Sequence, residues 1–481
     1  MSNNNNRKPY IVVFGPQNVG KSTLVGYLFT KDWTEERFLA EEAKIKSRIG
    51  SHYDPKSRLA LFVDTAKDEY RRTYLDGSSK HLHVKEVGDF TVIDTPGAAT
   101  QRKERYKGIF LGEVGLFLIE LEKILDLLRL NVTGKIESDI DYSPIFNDFF
   151  GALYVWQKLK PSSKMFIGLT KIDYQQYTVE DVEQAMNFLH SEIVNRDDVP
   201  IIPMSIDVRN RTDVGITGRS IYYDKSLLDV LSELVNVTHH KQESHLFMVN
   251  DKRYGNVPGY GEIFRWKVIS GTVHVNDRIQ ITPVIYNDTI TSVTVTVRSL
   301  NNFLREEMQE ACDGDVVSLV MSNVKNVKNR SIKKEEIQLM RTSIAIRVDD
   351  RAVFGDEISV DVDLSDSSFM EKKKIRNLKQ HSLVYVAWFG RMISTEVLDC
   401  QLVSEQLIAL TLLHKGSRNL FSLPKVDNRL IKDKCIIQLR QERTVGVDHA
   451  TFISYKATVR DIKMSPNMPL VKKDPPMEDG T

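Results

Sequence analysis

Residues 15–23 read GPQNVGKST, a complete match to G-x-x-x-x-G-K-[ST]. In such a run the glycines let successive backbone N–H groups curl around an anion. Gly15, Gln17, Asn18, Val19 and Gly20 are therefore expected to form a phosphate cradle. Lys21 is expected to reach the β- and γ-phosphates and to act in their transfer. Ser22 would offer its hydroxyl to Mg²⁺, and Thr23 completes the run. A chance match in a protein that binds no phosphate is the bland alternative. Context argues against it: an apolar stretch, Ile11 to Phe14, precedes the run, and a helix-compatible one, Ser22 to Phe29, continues it.

A phosphate cradle does not choose the base; two later segments do. Asp94-Thr95-Pro96-Gly97 follows a strand-like run, Phe90 to Ile93. Asp94 can hold Mg²⁺ through water, and Gly97 is placed to sense the γ-phosphate. Thr170-Lys171-Ile172-Asp173 follows another such run, Met165 to Leu169. Asp173 can accept both the N1–H and the exocyclic amine of guanine, a donor pair that adenine lacks. A site built for such a pair rejects the wrong base by as much as about 10⁴-fold. Ser205 and Ile206, in IIPMSID, stand at the end of a further strand and complete the base site. Alone, TKID reads as a solvated helix start. In this order, each segment after a strand, the set points to GTP/GDP with Mg²⁺.

These loops need a scaffold. Strands alternating with helices predict a parallel sheet covered on both faces. Helices are expected at Glu35 to Arg48, Val179 to Val194 and Leu227 to Val235. After about residue 240, short β-rich segments separated by Gly, Asn and Asp predict small barrels, with few helices. The fold class is thus an α/β P-loop domain followed by two antiparallel β-barrels. The expected division is a disordered leader at 1–8, a nucleotide-binding domain at 9–240 with an insertion near 126–142, barrels at 244–340 and 341–458, and a disordered tail at 459–481.

Composition fits this plan. A chain of 481 residues calls for about two to four domains, and 41% apolar with 27% charged residues is ordinary globular usage. The formal net charge of +1 gives the whole chain no pull toward nucleic acid or anionic lipid. Cys312, Cys400 and Cys435 match no metal-ligand spacing and suit a reducing compartment. With no apolar run of about 18 residues, no membrane partner is expected and the chain reads as cytoplasmic. The histidines 239, 240 and 245 read as a linker. The basic runs KNVKNRSIKK (325–334) and KKKIR (372–376) are candidate phosphate contacts or plain solvated loops.

The ordered set GPQNVGKST, DTPG, TKID and PMS resembles the G-domain of translational GTPases of the elongation factor Tu and elongation factor one-alpha type. VPGYGEIFRWKVISGTVHVNDRIQI and IIQLRQERTVGVDHA resemble that family's second and third domains, so the resemblance covers nearly all of residues 8–456. It implies a monomer that switches between GTP and GDP, an exchange factor, and partners in the ribosome and a tRNA or tRNA-like protein. Three departures stand out. The family's water-orienting histidine is Ala98 here, which implies slow hydrolysis. Asn18 replaces the usual aspartate and resembles P-loops that recruit K⁺, which would give it a catalytic part; otherwise it only shapes the loop. Thr73, in EYRRTYLDG, is the candidate switch threonine for Mg²⁺. Two alternatives stay open: a weakly hydrolysing GTP-binding scaffold that links ribosomes to RNA decay, and the GTPase subunit of sulfate activation.

Overall fold

The computed structural model describes residues 9–465 apart from 64–77, 98–101, 133–142, 161–162, 174–176, 195–198, 222, 236–244, 258–260, 303–305, 366, 368, 416–419, 427–428, 431–433 and 441–451. Thr73, Ala98, most of the expected insertion and two of the three linker histidines lie outside the described residues.

A first compact unit takes in Met1–Thr238 together with Arg440–Ile453. Its first strand, β1 (Tyr10–Phe14, YIVVF), is buried along its whole length. A strand apolar on both faces belongs inside a sheet covered on both sides. The other strands are β2 (Ser78–Val84), β3 (Gly88–Asp94), β4 (Val114–Glu120), β5 (Met165–Thr170), β6 (Ile201–Asp207) and β7 (Thr212–Val214). They lie in the order β2-β3-β1-β4-β5-β6-β7. The five inner strands are parallel, but β2 and β7 run antiparallel at the edges. The expectation of a parallel sheet is corrected accordingly. Val84 and Gly88 are joined by a tight turn, far too short for the crossover that a parallel pair requires.

Helices α1 (Lys21–Thr30), α2 (Glu35–Ile49), α3 (Arg102–Leu111), α4 (Leu121–Val132), α5 (Ser143–Leu159), α6 (Val179–Phe188) and α7 (Leu227–Val235) link the strands. The three expected helices are present, and α6 runs on as a π-helical turn, Leu189–Val194. Their starts are legible in chemistry. Thr178 and Asp181 form a reciprocal capping box ahead of α6, and Ser226 and Asp229 do the same for α7. Residues 126–132 of the expected insertion belong to α4.

α2 is fastened to this unit through Phe38, which is fully buried. Two guanidinium groups lie over its ring, Arg58 at 4.6 Å and Arg211 at 4.1 Å from the centroid. Arg211 also donates to the Thr30 carbonyl at 2.6 Å and pairs with Glu35 at 3.0 Å. The buried Glu42, one turn beyond Phe38, receives Arg58 at 2.9 Å and the Tyr53 hydroxyl. Leu59, Phe62 and Val63 join Phe38 in the core shared with Leu24, Val25 and Leu28 of α1.

The second unit holds two closed barrels. In the first, strands Arg278–Tyr286, Ile337–Arg347, Phe247–Val257, Gly261–Ser270, Val316–Asn326 and Thr289–Asn301 succeed one another. The ring closes because Arg278–Tyr286 pairs with Thr289–Asn301 as well. Trp266, Ile281, Val295 and Leu319 fill it. The second barrel is Glu357–Asp363, Leu407–Leu413, Arg391–Ser404, Leu383–Trp388, Lys434–Arg440 and Phe452–Lys463. Its last strand runs past the boundary expected at 458, with Val459 and Ile462 buried and the Ser465 N–H donating to Asp356 at 2.7 Å. The run KKKIR lies on a helix, Phe369–Arg376, anchored by the buried Ile375. His245 sits 3.6 Å from Asp350.

Phe38 gives the first test. Removing a buried phenyl ring typically costs about 3–5 kcal/mol. Phe38→Ala should lower the unfolding free energy of the first unit by that order, read from denaturant unfolding as a lower midpoint at unchanged m, whereas Phe38→Leu, which keeps most of the volume, should cost well under half as much.

Candidate nucleotide-binding site

The turn between β1 and α1 depends on unusual backbone. Gly15, Asn18 and Gly20 have φ of 150°, 62° and 97°. Gly15 packs so closely under β4 that a Cβ would lie 2.2 Å from the Leu118 carbonyl oxygen. Asparagine tolerates the left-handed region better than most residues, which suits position 18.

Lys21 opens α1 and is buried. Its ammonium donates to the carbonyls of Gly15, at 3.2 Å, and Pro16, at 2.6 Å. The Ser22 hydroxyl donates to Asp94 Oδ2 at 2.7 Å. Asp94 ends β3 beside Val13 of β1, and the Thr95 hydroxyl is pinned to the Val13 carbonyl at 2.8 Å. Two residues expected to serve Mg²⁺ are thus brought together as a hydroxyl and a carboxylate. These are the hard oxygen donors that this ion takes. Gly97 backs onto the cradle: a Cβ there would lie 2.6 Å from Lys21 Nζ and from the Pro16 carbonyl oxygen, and 2.7 Å from Gln17 Cα. Only glycine fits so close.

The base-reading segment is tied to the same turn. Thr170 ends β5, and its hydroxyl faces two carbonyl oxygens, Val19 at 3.0 Å and Ile119 at 3.2 Å. Lys171 then turns the chain with φ of 61°, and its ammonium pairs with Glu120 Oε2 at 3.0 Å. Ile172 is buried, while Asp173 is exposed. Asp173 makes no hydrogen bond or ion pair with any described residue. Ser205 is buried on β6, whose Met204 lies beside Thr170. Ile206 is half-buried and packs against the core of α1 and α7.

A rim cluster steadies the β7 side. Tyr27 of α1 donates its hydroxyl to Asp213 Oδ2 at 2.6 Å, and Oδ1 of Asp213 receives the N–H groups of Ile216 and Thr217 at 2.9 and 2.8 Å. Burial, reinforced by the Asp213 hydrogen bond and charge, raises the Tyr27 phenol well above its ordinary pKa. The phenol therefore stays protonated and keeps its donor role.

The structure therefore gathers the segments 15–23, 94–97, 170–173 and 205–206 at the C-terminal ends of neighbouring strands. In open α/β sheets this is where ligands bind. Sequence reasoning missed Glu120, Tyr27 and Asp213. Glu120 carried a faint signal, a charge that ends the apolar run GLFLI.

No protein-family profile matches the chain, and no curated protein matches it by sequence. Solved structures do match. The S. cerevisiae Ski7 GTPase-like domain, bound to GDP and inorganic phosphate, superposes with a TM-score of 0.66 at 14% identity, over 94% of this chain and 97% of that one. Elongation factor SelB from Methanococcus maripaludis, in complex with the GTP analogue GppNHp, gives 0.57 at 14%, over 95% and 80%. The fold is that of the translational GTPases. A bacterial selenocysteine-specific elongation factor, EF-Sec, gives 0.53 at 14%, and there this chain, matched over 94% of its length, spans 58% of the other.

The tie between base site and cradle is testable. Thr170→Val keeps the shape but removes the hydroxyl, and losing a buried hydrogen bond costs about 1–3 kcal/mol. Titration with a fluorescent guanine nucleotide should show binding weakened about tenfold or more, with Thr170→Ser close to wild type.

Proposed function

We propose that the chain binds GTP and GDP at this site and acts as a slow GTPase of the translation or ribosome-surveillance type. The nucleotide state would govern how the barrels carry a tRNA or a tRNA-like protein, with the ribosome as platform. The observation that carries this reading is the bond from the Thr170 hydroxyl to the Val19 carbonyl. It joins a segment suited to guanine to a turn suited to phosphates, so that one ligand can fill both.

Each residue then has a task. Backbone N–H groups of residues 15–20 would hold the β-phosphate. Lys21 would exchange its carbonyl partners for phosphate oxygens, since charge-assisted bonds to an anion are the stronger kind. Ser22 and Asp94 would hold Mg²⁺, which neutralises charge on the β- and γ-oxygens when bound, with Thr73 as a further candidate ligand. Gly97 would read the γ-phosphate. Asp173 would accept from guanine, flanked by Ser205 and Ile206. Alanine at position 98 can neither donate to nor order a water, so hydrolysis lacks its usual orienting group. Asn18 would favour K⁺ beside the phosphates as a partial substitute.

Ala98 also favours a second reading: a GTP-bound scaffold that turns over little or not at all. Turnover by the purified protein in potassium buffer, with and without ribosomes, separates the two. Strong ribosome stimulation is expected under the first reading. Tight GTP binding that resists excess ATP, with no turnover in either condition, establishes the second. Binding of ATP as tight as that of GTP would sink both. Replacing potassium by sodium should slow hydrolysis severalfold; equal rates would remove Asn18 from any catalytic part.

A further inference from the structure

The candidate base site has two segments, Thr170–Asp173 after β5 and Ser205–Ile206 on β6. The first is tied to the phosphate turn through the Thr170 hydroxyl and the Val19 carbonyl. The second has a tie of its own, one strand removed. β7 lies along it, with Val214 beside Ser205 and Asp213 beside Ile206. The Asp213 carboxylate receives four donors. Its Oδ1 accepts from the Ile216 and Thr217 N–H groups at 2.9 and 2.8 Å, and its Oδ2 from the Thr217 and Tyr27 hydroxyls at 2.8 and 2.6 Å. Three of these bonds close the turn that follows β7. That turn is held from behind as well. A Cβ on Gly215 would lie 2.1 Å from the Pro203 carbonyl oxygen of β6, and the Gly215 carbonyl receives the Leu227 N–H of α7 at 2.8 Å. The fourth bond leaves the neighbourhood, across 186 positions of sequence. Tyr27 is 5% exposed and stands on α1, the helix that opens with Lys21 and Ser22. Arg211, just before β7, adds a bond to the last turn of the same helix by donating to the Thr30 carbonyl at 2.6 Å.

We propose that Tyr27 and Asp213 are a positioning pair for the nucleotide: their bond fixes the Ser205–Ile206 segment relative to the phosphate helix, so that a ligand spanning both meets a site already set. Neither residue touches the base or the phosphates. They act through β7 on one side and through α1 on the other. The inference rests on the guanine reading given above and adds to it two residues outside all four motif segments. Without the bond, β7 and the segment it flanks spend part of the time displaced from α1. The apparent affinity of a ligand that needs both falls by the fraction of molecules in which they are aligned. A ligand confined to the phosphate turn is unaffected.

The test compares mant-GDP with inorganic pyrophosphate, whose inhibition constant comes from competition against mant-GDP. Tyr27→Phe removes the hydroxyl and keeps the ring. It should weaken mant-GDP about fivefold, the factor equivalent to about 1 kcal/mol, the usual net value of one hydrogen bond. Pyrophosphate should bind as before. GTP should weaken by the same factor as GDP, because the tie lies on the base side. Asp213→Ala should reproduce the loss, and in that background Tyr27→Phe should add nothing. Where Asp213→Ala does not fold, Tyr27→Phe carries the test alone. Three results would overturn the proposal: mant-GDP binding unchanged in Tyr27→Phe, pyrophosphate weakened by the same factor as mant-GDP, or losses that add in the double variant. The second of these is what a merely structural bond would give, since loosening the whole unit weakens both ligands together. The wild-type arm keeps the two levels apart. A wild-type protein from which ADP displaces mant-GDP as readily as GDP does refutes the guanine reading itself. A normal preference for guanine that Tyr27→Phe leaves at full strength refutes only the role of the pair.

Discussion

The site depends on one approach of backbone to backbone. At Gly15 the chain leaves β1 so close to β4 that no side chain fits against the Leu118 carbonyl. This contact lays the phosphate turn across the end of the sheet instead of letting it stand away. Because β1 is flanked by β3 and β4, the turn then lies between Asp94, which ends one neighbour, and Glu120, which ends the other. β5 is one strand further out, and Thr170 reaches back across β4 to the Val19 carbonyl. Strand order alone brings together segments more than 150 positions apart in sequence, as Thr170 and Val19 are separated by 151.

Three polar groups at the site have protein partners. Lys21 donates to carbonyls, Ser22 donates to Asp94, and Lys171 pairs with Glu120. A ligand must offer each group something better than it holds. A phosphate does so for Lys21, because an ammonium gains more from an anionic oxygen than from a neutral carbonyl. It offers nothing better to Lys171, which already faces a carboxylate. The two lysines differ in this respect: Lys21 is held by neutral carbonyl oxygens and Lys171 by a carboxylate.

Much of this was legible in the sequence where local rules act. The turn 15–23 is fixed by its own glycines and lysine, and α6 and α7 announce themselves through capping residues beside their first turns. Less was legible where partners are distant. β2 and β7 read as polar stretches, SSKHLHV and TDV, because edge strands carry little apolar signal, so the antiparallel edges went unseen. The barrels were visible as texture, but closure rests on Arg278–Tyr286 pairing with two other strands, which no short window reveals. The helix Phe369–Arg376 hid inside a run of lysines, its core side marked at Ile375. Glu120 escaped because its meaning lies in an ion pair across 51 residues of sequence with Lys171.

Fold and chemistry respond to different parts of the chain, which is why the former persists at low identity. The sheet asks only that strands such as YIVVF and MFIGLT be apolar on both faces, and the barrels ask for alternation; many sequences meet those demands. Hydrolysis asks for more, a specific group within hydrogen-bond reach of one water. Discrimination between bases likewise asks for a carboxylate placed to accept one specific donor pair. Substitutions that leave the architecture untouched therefore decide what it does. Under the proposed reading, positions such as Asn18 and Ala98 bear more on what this chain does than does a fold shared at 14% identity.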